Sequence, residues 1–163
     1  MFKIKENRIL INRGDAGTIV IARPEIDANG YAKYKDSSEN IYWYDKTDEI
    51  LYDNNYNESS VNINSLTVVL QPFSDGDVIR LGVYGENELD SAPYINKEIP
   101  VVGEQMYVNI PLTSEDTKIG DYINEKTRYW WEVELNGEQT LIGYDEDGPK
   151  IFMLYPEGVV INE

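Results

Sequence analysis

The residues of this chain able to do acid–base or metal chemistry are almost all carboxylates. Among its 163 residues are 30 Asp and Glu against 14 Lys and Arg, with neither histidine nor cysteine. Lack of histidine removes the commonest general base and metal ligand; lack of cysteine removes thiol nucleophiles, thiolate zinc sites and disulfides. Pairs of acids remain. Asp145-Glu146-Asp147-Gly148 and the span from Asp45 to Asp53 offer oxygens of the kind calcium takes. Neither follows the twelve-residue loop pattern, with ligands at alternate positions and a distal bidentate glutamate, and solvated turns account for them better. A glycosidase needs two carboxylates flanking its substrate, and among thirty acids some pair always looks suitable. No neighbouring base or glycine-rich motif marks one out. The expectation is a non-enzymatic protein with no catalytic residue, no cofactor and no metal. Arg13-Gly14-Asp15 matches an adhesion tripeptide, but Gly and Asp also stand where a hairpin turn is needed.

Aromatic residues are the other candidates, and the chemistry they offer is contact. Residues 25–65 contain six tyrosines (Tyr31, Tyr34, Tyr42, Tyr44, Tyr52, Tyr56), one tryptophan (Trp43) and seven asparagines. Tyrosine gives large contact area at low entropic cost, and Asn and Ser add adaptable hydrogen bonds, which is how binding loops are often composed. The same rings could instead pack on one another to hold the segment together; both roles are expected. In Tyr129-Trp130-Trp131-Glu132-Val133-Glu134-Leu135, a strand puts Trp131, Val133 and Leu135 on one face and Trp130, Glu132 and Glu134 on the other. The first set is a natural core. Trp130 on the polar face is either a contact anchor or is covered by the aromatic segment.

The elements that must position these residues read as strands. Period-two alternation runs through Arg8–Asn12, Gly17–Ala22 (closed by Pro24), Leu66–Leu70, Val78–Tyr84, Ile95–Ile99, Met106–Ile110, Tyr129–Leu135, Thr140–Ile142 and Ile151–Leu154. Ser74-Asp75-Gly76-Asp77, Asn136-Gly137 and Asp147-Gly148-Pro149 punctuate them, and Asn136-Gly137 is the strongest hairpin signal because both residues tolerate positive φ. Only Thr113–Lys118 looks helical, for a turn or so, with Thr113 and Asp116 as a variant capping box. Many short strands predict an all-β, immunoglobulin-like β-sandwich formed by residues 1–24 and 66–163. Residues 25–65 form a Tyr/Asn-rich inserted excursion of the same domain, with a strand pair near Ile41–Tyr44 and Glu49–Tyr52.

The formal charge of −16 argues against nucleic-acid binding, which needs Lys and Arg at phosphates, and against docking on an anionic membrane face. It favours solubility or pairing with a basic protein surface. Met1-Phe2-Lys3-Ile4-Lys5-Glu6 has no apolar run of signal-peptide length, and no stretch reaches a membrane span. Synthesis in the cytoplasm is expected.

Several motifs resemble a family of short β-sandwich proteins and domains in phages and prophages of Gram-positive bacteria, related to the N-terminal domain of baseplate upper proteins. They are Gly14-Asp15, Ser74-Asp75-Gly76-Asp77-Val78 before Leu81-Gly82-Val83, and Ile110-Pro111-Leu112-Thr113-Ser114-Glu115-Asp116-Thr117-Lys118-Ile119-Gly120. Tyr129 to Gly137, Ile142 to Ile151 and Leu154-Tyr155-Pro156-Glu157-Gly158 continue the likeness, which covers roughly residues 8–22 and 66–160. The resemblance implies a virion structural role without catalysis. Such proteins usually have only a short connection where this chain has residues 25–65. Baseplate upper proteins continue into a helical stalk and fibre, whereas this chain ends after its last strand. The expectation is therefore a capsid decoration protein on the head surface or a small baseplate or tail adaptor, assembled into the virion surface. Its expected partners are the major capsid or tail/baseplate protein, or itself as a homo-oligomer. Exposed Trp and Tyr beside acids and amides would equally suit a glycan- or host-surface-binding module.

Overall fold

The computed structural model describes residues 1–86, 91–145 and 148–163. Among them are fifteen strands and one short 3-10 turn. In chain order these begin with β1 (Phe2–Lys5), β2 (Arg8–Asn12), β3 (Gly17–Ile21), β4 (Arg23–Pro24), β5 (Ala32–Lys35), β6 (Ile41–Asp45) and β7 (Ile50–Asp53). After the 3-10 turn at Ile63–Ser65 come β8 (Thr67–Val68), β9 (Leu70–Gln71), β10 (Val78–Gly85), β11 (Ile95–Pro100) and β12 (Val108–Leu112). The series closes with β13 (Thr127–Leu135), β14 (Gln139–Ile142) and β15 (Ile151–Tyr155). No helix among the described residues is long and apolar enough to cross a membrane.

The chain divides into two compact units, one of Met1–Ile21 with Phe73–Glu163, the other of Ala22–Pro72. The larger is an all-β sandwich. Its main sheet has the order β1-β2-β15-β13-β10-β11, with β14 also paired to β13. All its pairs are antiparallel except β15 with β2. The second layer is the antiparallel ladder of β12 and β3. Alternation decides what lies between the layers: β13 buries Tyr129, Trp131, Val133 and Leu135 and leaves the residues between them partly in water. They meet Ile9, Ile11, Ile79, Leu81, Val83, Phe152 and Leu154 of the same sheet and Ile19, Ile21, Val108, Ile110 and Leu112 of the facing ladder. The Trp131 indole N–H, which would be costly to bury unbonded, donates to the Asn7 carbonyl at 3.0 Å. On the outer face Leu10, Met153, Tyr155 and Ile161 form a small second cluster.

Among the described residues, two turns carry left-handed backbone at two consecutive residues. Asn136 (φ 55°) and Gly137 (φ 68°) start the loop from β13 to β14, and the Asn136 side chain accepts from the Val78 amide at 2.8 Å, tying the loop to the start of β10. Glu6 (φ 50°) and Asn7 (φ 61°) join β1 to β2 without a glycine, and so β1 carries no turn signal in the sequence. The residues of Asp147-Gly148-Pro149 are described only from Gly148 onward, so that turn signal falls partly outside the described residues.

Thr113–Lys118 is a hydrogen-bonded turn, not a helix. Its capping box still forms: the Thr113 amide donates to Asp116 Oδ2 at 2.7 Å and the Asp116 amide to Thr113 Oγ1 at 3.2 Å. Long-range bonds stop it there. The fully buried Thr117 hydroxyl donates to the Asp15 carbonyl at 2.8 Å and accepts from the Gly14 amide at 3.0 Å. Lys97 takes the Asp116 carboxylate at 2.7 Å, and Gly120 then turns the chain with φ 72°.

The second unit is wider than 25–65, because β4 and β9 pair with each other at its base. It holds an antiparallel sheet of order β7-β6-β5-β8. The expected pair of strands near residues 41–44 and 49–52 is β6 with β7; β5 and β8 extend it.

With its ring 3 % exposed in the sandwich core, Trp131→Ala should lower unfolding free energy by about 3–5 kcal/mol. Urea unfolding measures this, and a loss under about 1 kcal/mol would contradict the packing described.

Candidate contact surfaces

Register in the inserted sheet sorts the aromatic residues onto two faces. Tyr34 pairs with Tyr42 and Ala32 with Tyr44, and across β7 Tyr44 pairs with Leu51. These share one face with Val68. Trp43, paired with Lys33 and Tyr52, lies on the other. The composition of residues 25–65 could not foretell this division. Apart from exposed Thr67, strand residues on both faces are half-buried; in this sheet only Leu51 and Asp45 are buried.

The rings pair within the unit. Tyr31 stacks on Tyr52 (centroids 5.4 Å, planes 10° apart) and Trp43 on Tyr56 (6.2 Å, 9°), while Tyr34 meets Tyr44 edge to face at 6.1 Å. Lys33 Nζ lies 5.8 Å from the Trp43 ring centre and pairs with Glu25 at 3.0 Å. The Trp43 indole N–H donates to Asn54 at 3.3 Å. Such ring pairs restrict the side chains to fixed orientations within the unit. Tyr56 is the most open of the seven, at 46 %. Burial pushes the Tyr34 and Tyr52 phenols above their ordinary value.

Asp27 organises the edge of this surface. Its carboxylate accepts from the Asn29 and Tyr31 amides, each at 2.9 Å, and from the Tyr56 hydroxyl at 2.7 Å. Burial pushes the carboxyl up, but these hydrogen bonds, led by that from Tyr56, outweigh it and hold it below the ordinary aspartate value. That hydrogen bond, followed by burial, raises the Tyr56 phenol.

Trp130 belongs to the sandwich, on the outer face of its large sheet. It is half-buried, pairs with Tyr84 and Ile151, and carries Tyr144 tilted over it at 6.3 Å. Beside it lies an ionic ladder that sequence reading passed over. Arg80 Nη2 donates to Glu134 at 3.1 Å, Glu132 at 3.2 Å and the Tyr84 hydroxyl at 3.1 Å. The spacing of Glu132 and Glu134 was visible; their cation on β10 was not, because register across 52 and 54 residues leaves no local signal. The Tyr84 ring lies over Gly82, where a Cβ would come within 2.7 Å of it.

A cleft of about 610 Å³ in the sandwich, also missed, is lined by Tyr94, Tyr122, Tyr129, Lys126, Arg128 and Glu125 among others. Tyr94 and Tyr122 are exposed there, and Tyr94 packs edge-on to Tyr129 at 5.3 Å.

The acidic motifs serve turns. Asp45 accepts from the Thr47 and Asp48 amides and Asp53 from those of Asn55 and Asn57, at opposite ends of the β6–β7 ladder. Asp145 pairs with Lys150 at 2.8 Å; Glu146 and Asp147 lie outside the described residues. Among the described residues no cluster of three or more Asp and Glu is placed to hold a metal. In Arg13-Gly14-Asp15, Gly14 has φ 81°, Arg13 donates to the Ile119 carbonyl and Asp15 pairs with the Met1 ammonium, so both charged side chains are engaged within the sandwich.

No family model matches the chain, and no solved structure matches it. Two curated proteins share a short stretch: proteasome subunit alpha type-3 from Arabidopsis thaliana and from Spinacia oleracea, each 32 % identical over 50 residues. The stretch is 31 % of this chain and 20 % of either subunit, so the chain spans about a fifth of the length of these relatives.

Because the Asp27 carboxyl sits lower folded than unfolded, its contribution to stability is present above the ordinary aspartate value and fades as pH falls through the folded one. In Tyr56→Phe the carboxyl should titrate at higher pH than in the unsubstituted protein. Carbon NMR of Asp27 reads this; an unchanged midpoint would remove Tyr56 as its donor.

Proposed function

We propose that this chain is a non-enzymatic structural component of a bacteriophage-type particle. It would be made in the host cytoplasm and assembled onto the virion surface, as a decoration of the head or as a small baseplate or tail adaptor. The likeness of its sandwich motifs to the phage family suggests the setting. The observation that carries a contact role is the inserted unit, in which five tyrosines and a tryptophan are held by ring-on-ring packing and its sheet is partly open on both faces. Rigid aromatic surfaces of this kind bind without paying much conformational entropy. The charge of −16 suits a basic rim on the major capsid or tail/baseplate protein. Among the described residues the carboxylates of the acidic motifs are occupied in turns and ion pairs, which fits a contact role better than catalysis.

A second reading, a glycan-binding module, draws on the cleft beside Tyr94 and Tyr122, where exposed rings stand near Arg128, Lys126 and Glu125. Trp43 suits it less, since its ring is already stacked on Tyr56.

Purified protein should co-sediment with particles released by lysis of the bacterium that encodes it, and the bound fraction should fall as salt is raised, as expected for acidic-on-basic docking. Tyr56→Ser, which changes an exposed ring, should reduce binding without altering the urea midpoint of the sandwich. Failure to bind particles, together with binding to a host-wall glycan that is lost in Tyr122→Ala, would replace this reading with the second.

A further inference from the structure

Among the described residues, three strands of five or more residues lie at the edge of a sheet: β3, β11 and β12. Exposed edges invite pairing with another chain, and proteins usually blunt them with charge or proline. β11 carries Lys97, Glu98 and Pro100, and β12 carries Pro111. β3, Gly17-Thr18-Ile19-Val20-Ile21, carries neither.

Its open groups can be assigned. Pro111 has no N–H, so its pair with Thr18 is a non-hydrogen-bonded one, and alternation along the ladder makes Asn109–Val20 another. Thr18 and Val20 therefore turn N–H and C=O away from β12. Among the described residues neither has a backbone hydrogen bond to any other element. The side chains alternate accordingly: Ile19 and Ile21 are buried, Thr18 is exposed and Val20 is 55 % exposed. Tyr107, just before β12 and 57 % exposed, continues the outer face of the ladder. From Gly17 to Ile21 and from Met106 to Leu112 there is no charged residue, in a chain with 44 of them (30 acidic and 14 basic).

We propose that β3 is a homotypic docking edge, at which two copies of the chain join by antiparallel β3–β3 pairing about a two-fold axis at Ile19. In that register Thr18 of each copy stands opposite Val20 of the other, and the outward N–H and C=O groups of both are satisfied. The two-stranded layer becomes β12-β3-β3-β12, with β-branched residues at Thr18, Ile19 and Val20 along the seam. Charge complementarity selects the occupant. A basic partner strand would find no carboxylate on this ladder, whereas a second copy of an uncharged strand meets nothing that repels it there. The like charge on the rest of each copy opposes association at a distance, where salt screens it.

Sedimentation velocity of the full chain, over a range of concentrations from low to high salt, tests this. The expected result is a monomer–dimer equilibrium that moves toward dimer as salt rises. Val20→Lys should leave the urea midpoint unchanged at concentrations where the unsubstituted protein is also monomeric, since the side chain is mostly in water, and should shift the protein to monomer throughout. Val160→Lys, at another exposed valine, should retain the dimer; the same added charge relieves repulsion between acidic copies, so loss at Val20 alone is specific to the edge. Monomer under every condition, a dimer indifferent to Val20→Lys, or association that weakens with salt would each overturn the proposal.

Discussion

Everything in the sandwich depends on the alternation along β13. This nine-residue strand lies inside the large sheet, pairing with β10 on one side and with β15 and then β14 on the other. Its odd residues, from Tyr129 to Leu135, are core; Trp130, Glu132 and Glu134 between them are not. A slip of one residue would bury two carboxylates and expose Trp131 and Val133. Two contacts pin the register, one at mid-strand and one just past its end. Trp131 reaches the Asn7 carbonyl, linking the strand to the β1–β2 turn, and Asn136 holds the start of β10. With β13 fixed, Arg80 on β10 falls opposite Glu134 and reaches Glu132 as well, and the outer face acquires its ionic ladder. One strand thus sets the hydrophobic layer and the polar surface together.

Much of this fold was legible because strand signals are local. The alternating runs at residues 8–12, 78–84 and 129–135 coincide with β2, β10 and β13 to within two residues, and Asn136-Gly137 takes the backbone its residue types favour. What was not legible depended on partners distant in sequence. β1 escaped notice because its turn uses Glu6 and Asn7 in left-handed conformation without a glycine. The capping pattern at Thr113 and Asp116 was read as a helix start, and its local bonds are indeed made. Thr117 and Asp116 are drawn instead to Asp15 and Lys97, and the helix never propagates. Strand order, with its parallel β15–β2 pair, has no counterpart in composition or spacing.

The aromatic segment shows the same limit at the candidate surface. Its composition announced contact, and the placement of Trp43 and Tyr52 on adjacent strands followed from the expected strand pair. Which rings would stack on which depended on β5 and on the loops that bring in Tyr31 and Tyr56, and neither leaves a periodic trace. The packed rings hold the unit together and are also part of its surface, because a sheet with one buried apolar strand residue, Leu51, has little other interior. Stability there and the proposed contact role rest on the same side chains, which makes exposed Tyr56 more informative about contact than Trp43.

The most direct test of the central claim is a cryo-EM reconstruction of the intact particle, with this chain placed by its Trp and Tyr density. The account predicts ordered copies on the outside of the particle, in lattice order on the head or as a small ring at the tail, with the inserted sheet against a basic neighbour. A complete particle with no copy of the chain would contradict it.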